Sequence, residues 1–379
     1  MCGKKIHLWL AGAEEDEITV RVLIVTGAYP PAKCGVGEYT AYLAEALAAQ
    51  PNIEVAILTG KEPEASPGLS AIKVFRVMPS WRIWHVLQIK RIVAKVKPDI
   101  VHVQYPAQGY IGRLPKITPL LLRILGLPVV QTWHEHYVEC KAIGWPNLLA
   151  CDGMIYVRPD FISKLPSWVR AVLAKTPIKH IPNASTIPSL SLSVDQALVI
   201  KNELSISKPI VCYFGFAHPN KGVERLFQIA DPEKHHLVLV CDLNEAYPYQ
   251  KKILDLANQA PWTGKVTVTG FQTAQRVGEI LAVADAVVFP FPGGAGEWNT
   301  SLKAAEKAGA FTIATTCTTD LLGYHEEKNI YFAGCDDISA MKEALNRYLG
   351  TRKAPVVNDD WEIIALSHIQ LYQALCEIK

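Results

Sequence analysis

The sequence predicts an α/β fold of two doubly wound, Rossmann-like domains facing one another across a cleft, and three observations predict it. Apolar runs of strand length alternate with amphipathic stretches of helix length, and they do so in two successive series. A segment rich in Pro, Ser and Thr, Pro182–Val194, separates the two series and reads as an interdomain linker. Each series also contains a strand that runs through a glycine-bearing loop straight into a helix. At 379 residues the chain is longer than one core organises well. The domains are placed at residues 19–185 and 186–360, with residues 1–18 as an extension and a last helix at about 361–379.

In the first series, Thr19–Thr26 is a strand and leads through Gly27–Gly37 to a helix from Glu38 to about Ala49, with Tyr39, Leu43 and Leu47 on one face. Gly35 and Gly37 lack side chains where this helix begins, so a ligand can approach the backbone there. Strands follow at Ile53–Thr59 and Ile72–Val77, then a helix at Trp81–Val96 that Pro98 stops, then a strand at Asp99–Tyr105. Val129–His136 is a strand ending in polar residues, and ligands of parallel sheets bind at such ends. His134 and His136 stand two apart, as a metal pair on one strand face would, but no third ligand has a convincing spacing. Met154–Val157 and Ile178–Ile181 are short strands.

In the second series, the strand Pro209–Phe214 runs into Gly215–Gly222 and a helix at Val223–Ala230. Strands are expected at Leu237–Cys241, Val266–Thr269 and Phe311–Thr315, and helices at Ile253–Gln259, Thr273–Ala284, Ile338–Leu349 and Trp361–Ile378. The stretch Phe289–Gly309 stands out. Pro290 and Pro292 end the strand, Gly293, Gly294 and Gly296 free the backbone, and Asn299 or Thr300 can cap a helix from Ser301 to Ala308 that Gly309 ends. Such a helix start offers unpaired N–H groups and a positive dipole end to a phosphate. An ordinary βα turn reads the same way, so the residues alone leave both readings open.

Composition narrows the classes. Half the residues are apolar and 20% charged, as in a soluble globular enzyme. The net charge of +2 hides an asymmetry: residues 1–180 hold 21 Lys and Arg against 14 Asp and Glu, and residues 181–379 hold 17 against 22. A basic first half fits an anionic partner, and scattered solvated charge fits the same count. The helix at Trp81–Val96 places Arg82, Lys90, Arg91 and Lys95 beside apolar residues; it reads as a packed helix with a solvated face or as one that lies on a membrane surface. No long basic run with interleaved aromatics is present, which disfavours nucleic acid. The nine cysteines show no CxxC or zinc-ribbon spacing and fit buried thiols in a reducing, cytoplasmic setting. No apolar segment approaches the length of a membrane span, and Ile6–Ala11 is too short for a signal-peptide core.

Taken together and in order, these motifs resemble the GT-B glycosyltransferases, and among them the retaining glycosyltransferase family 4. The resemblance covers nearly the whole chain from about Val20. Tyr29–Tyr39 is similar to the family's first glycine loop, Pro98–Gln104 to its PDVVH strand, Thr132–Glu135 to its Thr-x-His-Asp strand end and Ile181–Asn183 to the element before the second domain. Gly215–Gly222 resembles the loop with the phosphate-binding lysine, and Thr269-Gly270-Phe271 the base-binding turn.

The resemblance implies a metal-independent hexosyltransferase with no cofactor beyond a nucleotide-sugar co-substrate, read as UDP-glucose. It implies catalytic roles for His134, Lys221 and Glu297, and donor contacts from Gly35, Gly37, Gly215, Lys221, Gly270, Phe271, Glu297, Trp298, Asn299, Thr300 and Ser301. The acceptor is a saccharide or lipid-linked saccharide, the setting polysaccharide biosynthesis, and the location cytoplasmic with peripheral association at the inner membrane face. The final helix packs back on the first domain.

Four positions depart from the family pattern, the first being Cys34, which replaces the more usual first glycine of a pair in the first loop. Phe216 stands where an arginine is usual, and Gly296 and Ala304 fall where two glutamates are usual. Glu297 and Glu306 lie nearby without reproducing that pair, which describes a divergent branch. Two rival readings remain at this point: a catalytically degenerate nucleotide-sugar-binding subunit, and a sugar-nucleotide 2-epimerase on the same fold.

Overall fold

The computed structural model describes residues 19–61, 72–136, 145–358 and 360–377. The expected extension at residues 1–18 lies outside the described residues. The chain divides into two compact units, one built up to Ala184 and completed by the C-terminal helix, the other spanning Ser185–Asn358.

The first unit contains β1 (Val20–Val25), α1 (Gly35–Ala48), β2 (Ile53–Gly60), β3 (Lys73–Met78), α2 (Val86–Val96), β4 (Ile100–Tyr105), α3 (Thr118–Ile124), β5 (Val129–Trp133), α4 (Trp145–Leu149), β6 (Gly153–Tyr156), α5 (Ser167–Leu173) and β7 (Ile178–His180). The sheet order is β3-β2-β1-β4-β5-β6-β7, with every pair parallel. β1, β4 and β5 are buried along almost their whole length, as strands covered on both faces must be. One face packs on α1 and the C-terminal helix Asp360–Glu377, through Leu43, Leu47, Ile364, Ile369 and Tyr372. That helix buries Trp361, Ile364, Ala365, His368, Ile369, Tyr372 and Leu375, a repeat of three and four residues that keeps one stripe on the sheet.

The second unit contains α6 (Val194–Glu203), β8 (Ile210–Phe214), α7 (Leu226–Ile229), β9 (His236–Val240), α8 (Pro248–Asn258), β10 (Val266–Val268), α9 (Ala274–Val283), β11 (Ala286–Phe289), α10 (Thr300–Lys307), β12 (Thr312–Thr316), β13 (Gly323–His325), β14 (Ile330–Gly334) and α11 (Ile338–Tyr348). Its sheet order is β10-β9-β8-β11-β12-β14-β13, parallel except for the β13–β14 pair. Both sheets are therefore doubly wound and Rossmann-like, and the α/β class expected from the sequence holds.

Several elements differ from expectation. α1 begins at Gly35 rather than Glu38, because Cys34 already has extended backbone angles and its carbonyl accepts the first helical bond from Glu38. The expected helix from Trp81 begins as a short 3-10 turn at Ile83 and becomes α-helical only at Val86. Trp81 is instead core, its backbone pairing with Ile111 and Leu114 and its ring set edge-on to Tyr110 at 4.7 Å. The strand toward His136 ends at Trp133. β13, β14, α3, α4, α5 and α6 had no counterpart among the expected elements.

Candidate active site

In a doubly wound sheet, ligands bind beyond the carboxyl ends of the strands where the strand order reverses. In the second unit that point lies between β8 and β11. The loop after β8 carries Gly215–Gly222, and the loop after β11 carries Pro290–Asn299, so both stretches singled out in the sequence arrive at one place.

The two loops are locked together. Gly222 has φ +60°, and a Cβ on it would lie 2.4 Å from the Pro290 carbonyl oxygen, so only glycine permits this approach. Its neighbour Lys221 holds Nζ 4.2 Å from the centroid of the Phe291 ring. That cation–π position draws the ammonium toward the β11 loop. Phe291 is buried, and its carbonyl accepts from the Thr315 hydroxyl at 2.6 Å and from the Gly294 N–H at 3.0 Å. Ala295 donates to the Thr315 carbonyl at 2.7 Å, which ties the glycine loop to β12.

The cap expected from Asn299 takes a different form. Asn299 holds the N-cap position of α10, but its Oδ1 accepts from the Gly296 N–H at 2.9 Å, and no side chain caps the helix. The N–H groups of Thr300 and Ser301 therefore have no acceptor within the helix, which leaves an anion-binding end. Trp298 is half-buried over Gly296, where a Cβ would lie 2.1 Å from the indole. Glu297 is exposed on the same loop. Ala304 points into the core. Neither position aligned with the family's glutamates thus has room to present a carboxylate at the loop, and Glu306 is drawn to Lys303 at 3.8 Å.

Gly215 ends β8 with φ +137°, and the Tyr213 hydroxyl donates to the Phe216 carbonyl at 2.9 Å. Phe216 itself is exposed. Arg225, the nearest arginine along the chain, pairs with Asp336 at 2.6 Å and donates to the Cys335 carbonyl, so it does not replace the missing arginine. Gly270 and Phe271 follow β10, two strands away from β8, and the Phe271 side chain is 62% exposed.

In the first unit, His134 follows β5 and is buried. Its Nε2–H donates to Gln104 Oε1 at 2.7 Å, and its ring meets the edge of Tyr39 at 4.7 Å. Burial in this setting lowers its pKa to about 3, with His368 adding a smaller push in the same direction, so the ring is neutral. With Nε2 committed, Nδ1 is the nitrogen left to accept from a ligand hydroxyl. Gln104 Nε2 donates to His102 Nε2 at 3.4 Å, and the Thr132 hydroxyl donates to the same nitrogen at 2.7 Å. Among these groups His102 Nδ1–H then donates to the Tyr372 hydroxyl at 2.6 Å. His102, Gln104 and Tyr372 were not singled out in the sequence as site residues; two polar residues in alternation within an apolar strand were the available signal.

His134 and His136 do not act as a pair. His136 instead lies 3.2 Å from Asp160 and 3.3 Å from Lys164. Among the described residues no group of three or more potential metal ligands gathers. Gly35 is exposed, with nothing within 4 Å of a Cβ built on it. Gly37 is buried, and a Cβ there would lie 3.0 Å from the Ala28 carbonyl oxygen, so the missing side chain lets the start of α1 approach the preceding loop closely.

Residues 34–183 match the model of Glycosyltransferase Family 4. No curated protein sequence matches the chain. Among solved structures, sucrose-phosphate synthase from Thermosynechococcus elongatus is similar with a TM-score of 0.71 at 18% identity, covering 95% of this chain and 100% of that one. The catalytic domain of starch synthase IV from Arabidopsis thaliana, bound to ADP and acarbose, has a TM-score of 0.66 at 13% identity and covers 95% and 99%. Anabaena Alr3699/HepE in complex with UDP and glucose has a TM-score of 0.63 at 14% identity and covers 95% and 99%. Residues 34–183 thus resemble glycosyltransferase family 4, and the chain as a whole has the GT-B fold of these glycosyltransferase structures.

Proposed function

We propose that the protein is a retaining hexosyltransferase that moves a sugar from a nucleotide-sugar donor to a saccharide or lipid-linked saccharide. One observation carries this reading: Lys221 and the uncapped start of α10 lie on the two loops that flank the reversal of strand order in the second unit. A diphosphate placed there meets an ammonium and unpaired N–H groups. When the bond from the sugar C1 to the diphosphate oxygen breaks, the electron pair stays on that oxygen, and these groups stabilise it. The acceptor oxygen bonds to C1 from the same face, and its proton leaves with the diphosphate or to solvent.

Lys221 and the helix end supply the positive charge that a divalent cation supplies elsewhere, and we assign no metal to the step. His134, neutral and oriented by Gln104, is assigned a hydrogen bond to the transferred sugar through Nδ1. Glu297, Trp298, Thr300 and Ser301 are assigned to the donor from the β11 loop, and Gly270 and Phe271 to its base.

UDP-glucose is our choice of donor, in keeping with the UDP and glucose of the HepE complex. The ADP of the starch synthase complex makes adenine the base to test against it. For the acceptor, the exposed Ile83, Trp84 and Leu87 stand beside the exposed Arg82, Lys90 and Arg91 at the start of α2. Such a surface fits an anionic membrane carrying a lipid-linked acceptor. No helix among the described residues is long and apolar enough to cross a membrane.

A degenerate donor-binding subunit is the second reading, favoured by the absence of charged side chains at Phe216, Gly296 and Ala304. Thermal stabilisation by UDP, ADP and GDP and their sugar conjugates, with and without EDTA, tests donor class and metal need together. Sugar transfer or donor hydrolysis then separates enzyme from binder. A UDP-glucose shift that EDTA leaves intact, with release of UDP, is the expected result. Stabilisation without any turnover would decide for the binding subunit.

A further inference from the structure

Two cysteines that the glycosyl-transfer reading leaves unused stand side by side at the edge of the donor loops. β12 and β14 are parallel, with Thr316 opposite Gly334 at their ends, and the residue that follows each strand is a cysteine. Parallel neighbours lie about 4.8 Å apart, inside the Cα separation of about 4.4–6.8 Å that a disulfide spans. Both cysteines are free thiols. Cys317 is exposed and Cys335 half-buried, whereas Cys34, Cys151, Cys212 and Cys241 are buried. A thiol reagent therefore reaches this pair before those four.

The pair also touches both loops of the site. A Cβ on Gly294 would lie 3.3 Å from Cys317 N and 3.5 Å from its Sγ, so the sulfur packs against the glycine loop. On the other side the Cys335 carbonyl accepts from Arg225, which is ion-paired with Asp336 at 2.6 Å. The Arg225 stem passes 3.2 Å from the Cβ position of Gly222, beside Lys221.

We propose that Cys317 and Cys335 form a thiol–disulfide exchange site for low-molecular-weight disulfides, and that closing the bridge weakens donor binding. The Cys317 thiolate attacks one sulfur of the reagent and displaces its first thiolate. Cys335 then loses its proton and attacks Cys317 Sγ in the mixed disulfide, forming the Cys317–Cys335 bond and displacing the second thiolate. The two protons given up by the cysteines end on the two released thiols. The protein is oxidised by two electrons and the reagent disulfide is reduced by two. Cys317 is the exposed attacking group and Cys335 the resolving one. Burial raises the Cys335 thiol to about 12, with the neighbouring Cys317 adding to the shift, which leaves the exposed Cys317 as the attacking group.

The full chain incubated across glutathione ratios tests this. Intact mass is expected to fall by about 2 Da without a retained adduct, and peptide mapping is expected to join Cys317 to Cys335. Cys335→Ser is expected to stop at a glutathione adduct on Cys317, and Cys317→Ser to form no bridge at this site. A bridge mapped to other cysteines, or wild-type protein that keeps both thiols free in oxidised glutathione, overturns the site.

The effect on the donor rests on the function proposed above. The bridged protein is expected to bind UDP at least threefold more weakly than the reduced protein, and equal affinity overturns the coupling. If no nucleotide binds even the reduced protein, the donor reading fails, while the mass and mapping results still judge the thiol pair.

Discussion

His102 on β4 and Tyr372 on the C-terminal helix, 270 residues apart in the chain, share a buried hydrogen bond of 2.6 Å. The bond fastens the end of the chain to the strand beside the one that leads to His134. Thr132 and Gln104 take the other nitrogen of His102, and Gln104 in turn holds His134. Trp361 extends the same attachment, with its ring 5.2 Å from Tyr39 and stacked at 5.3 Å on Tyr42. Tyr372→Phe removes one hydroxyl and leaves His102 Nδ1–H buried without its acceptor. It should destabilise the protein by about 1–3 kcal/mol, read as a lower urea midpoint with an unchanged slope. An unaltered midpoint would show that the buried bond carries no net stability.

The same cluster sets an acid limit. Burial lowers the His134 pKa from 6.5 to about 3 and that of His368 from 6.5 to about 4. In the unfolded chain both rings take up a proton as the pH falls through 6.5, and in the folded protein they do not. The unfolded state therefore binds more protons between these values, and stability rises with pH across the window. The contribution is complete above pH 6.5 and is lost as the pH falls. By pH 4 each ring should account for a loss on the order of 3 kcal/mol. Urea unfolding from pH 7 to pH 4 should show this slope, and His368→Gln, which does not titrate, should flatten it. An equal slope in that variant would remove His368 from the account.

Most of the central strands were legible because they are apolar runs of the right length, and burial on both faces demands such runs; the three-residue edge strand β13, Gly-Tyr-His, offered none, and β14 beside it was missed with it. α6 was not. Val194, Leu198 and Val199 are exposed and Ile200 is its buried residue, so there is no amphipathic period to read. Its one local signal was the Ser193–Gln196 capping box, which the structure forms in full. For the candidate site, the sequence pointed to the β8 and β11 loops through their glycines and Lys221. It could not show that Asn299 turns back to Gly296, or that an indole covers the position of a missing glutamate, because both depend on how the loop folds over itself. Likewise, His102 and Tyr372 meet only once the last helix has returned to the first sheet.

Lys221 offers the direct test of the donor site. Its ammonium lies 4.2 Å from the centroid of the Phe291 ring, and shortening the side chain removes that contact. Lys221→Ala should lower the apo melting temperature by no more than about 3 °C, since the half-buried side chain gives up one cation–π contact worth about 0.5–1 kcal/mol. The loss of one charge-assisted contact to the diphosphate, about 1.5–3 kcal/mol, should weaken nucleotide binding roughly 10- to 150-fold. Lys221→Arg keeps the charge but not the point-like ammonium, and should fall between the two. Calorimetric titration with UDP measures all three. Wild-type affinity in Lys221→Ala would move the diphosphate away from the β8 loop.

Gly222 and Gly296 meet different obstacles, and the same substitution should separate them. At Gly222 a methyl group would lie 2.4 Å from the Pro290 carbonyl oxygen on a backbone with φ +60°. Neither the carbonyl nor the left-handed backbone can give way cheaply, so Gly222→Ala should cost at least about 2 kcal/mol and push the two loops apart. At Gly296 the obstacle is the far edge of the Trp298 indole, 2.1 Å from the Cβ position, and Gly296 does not have a positive φ. A side chain can rotate away where a backbone cannot. Gly296→Ala should therefore change stability by less than about 1 kcal/mol and shift the tryptophan emission as Trp298 swings out. The nucleotide response of this second variant then reports on the indole. If Trp298 contacts the donor, UDP affinity falls while the fold stands. If affinity is unchanged while the emission has shifted, Trp298 belongs to the packing of the loop and the donor contacts reduce to Lys221 and the start of α10.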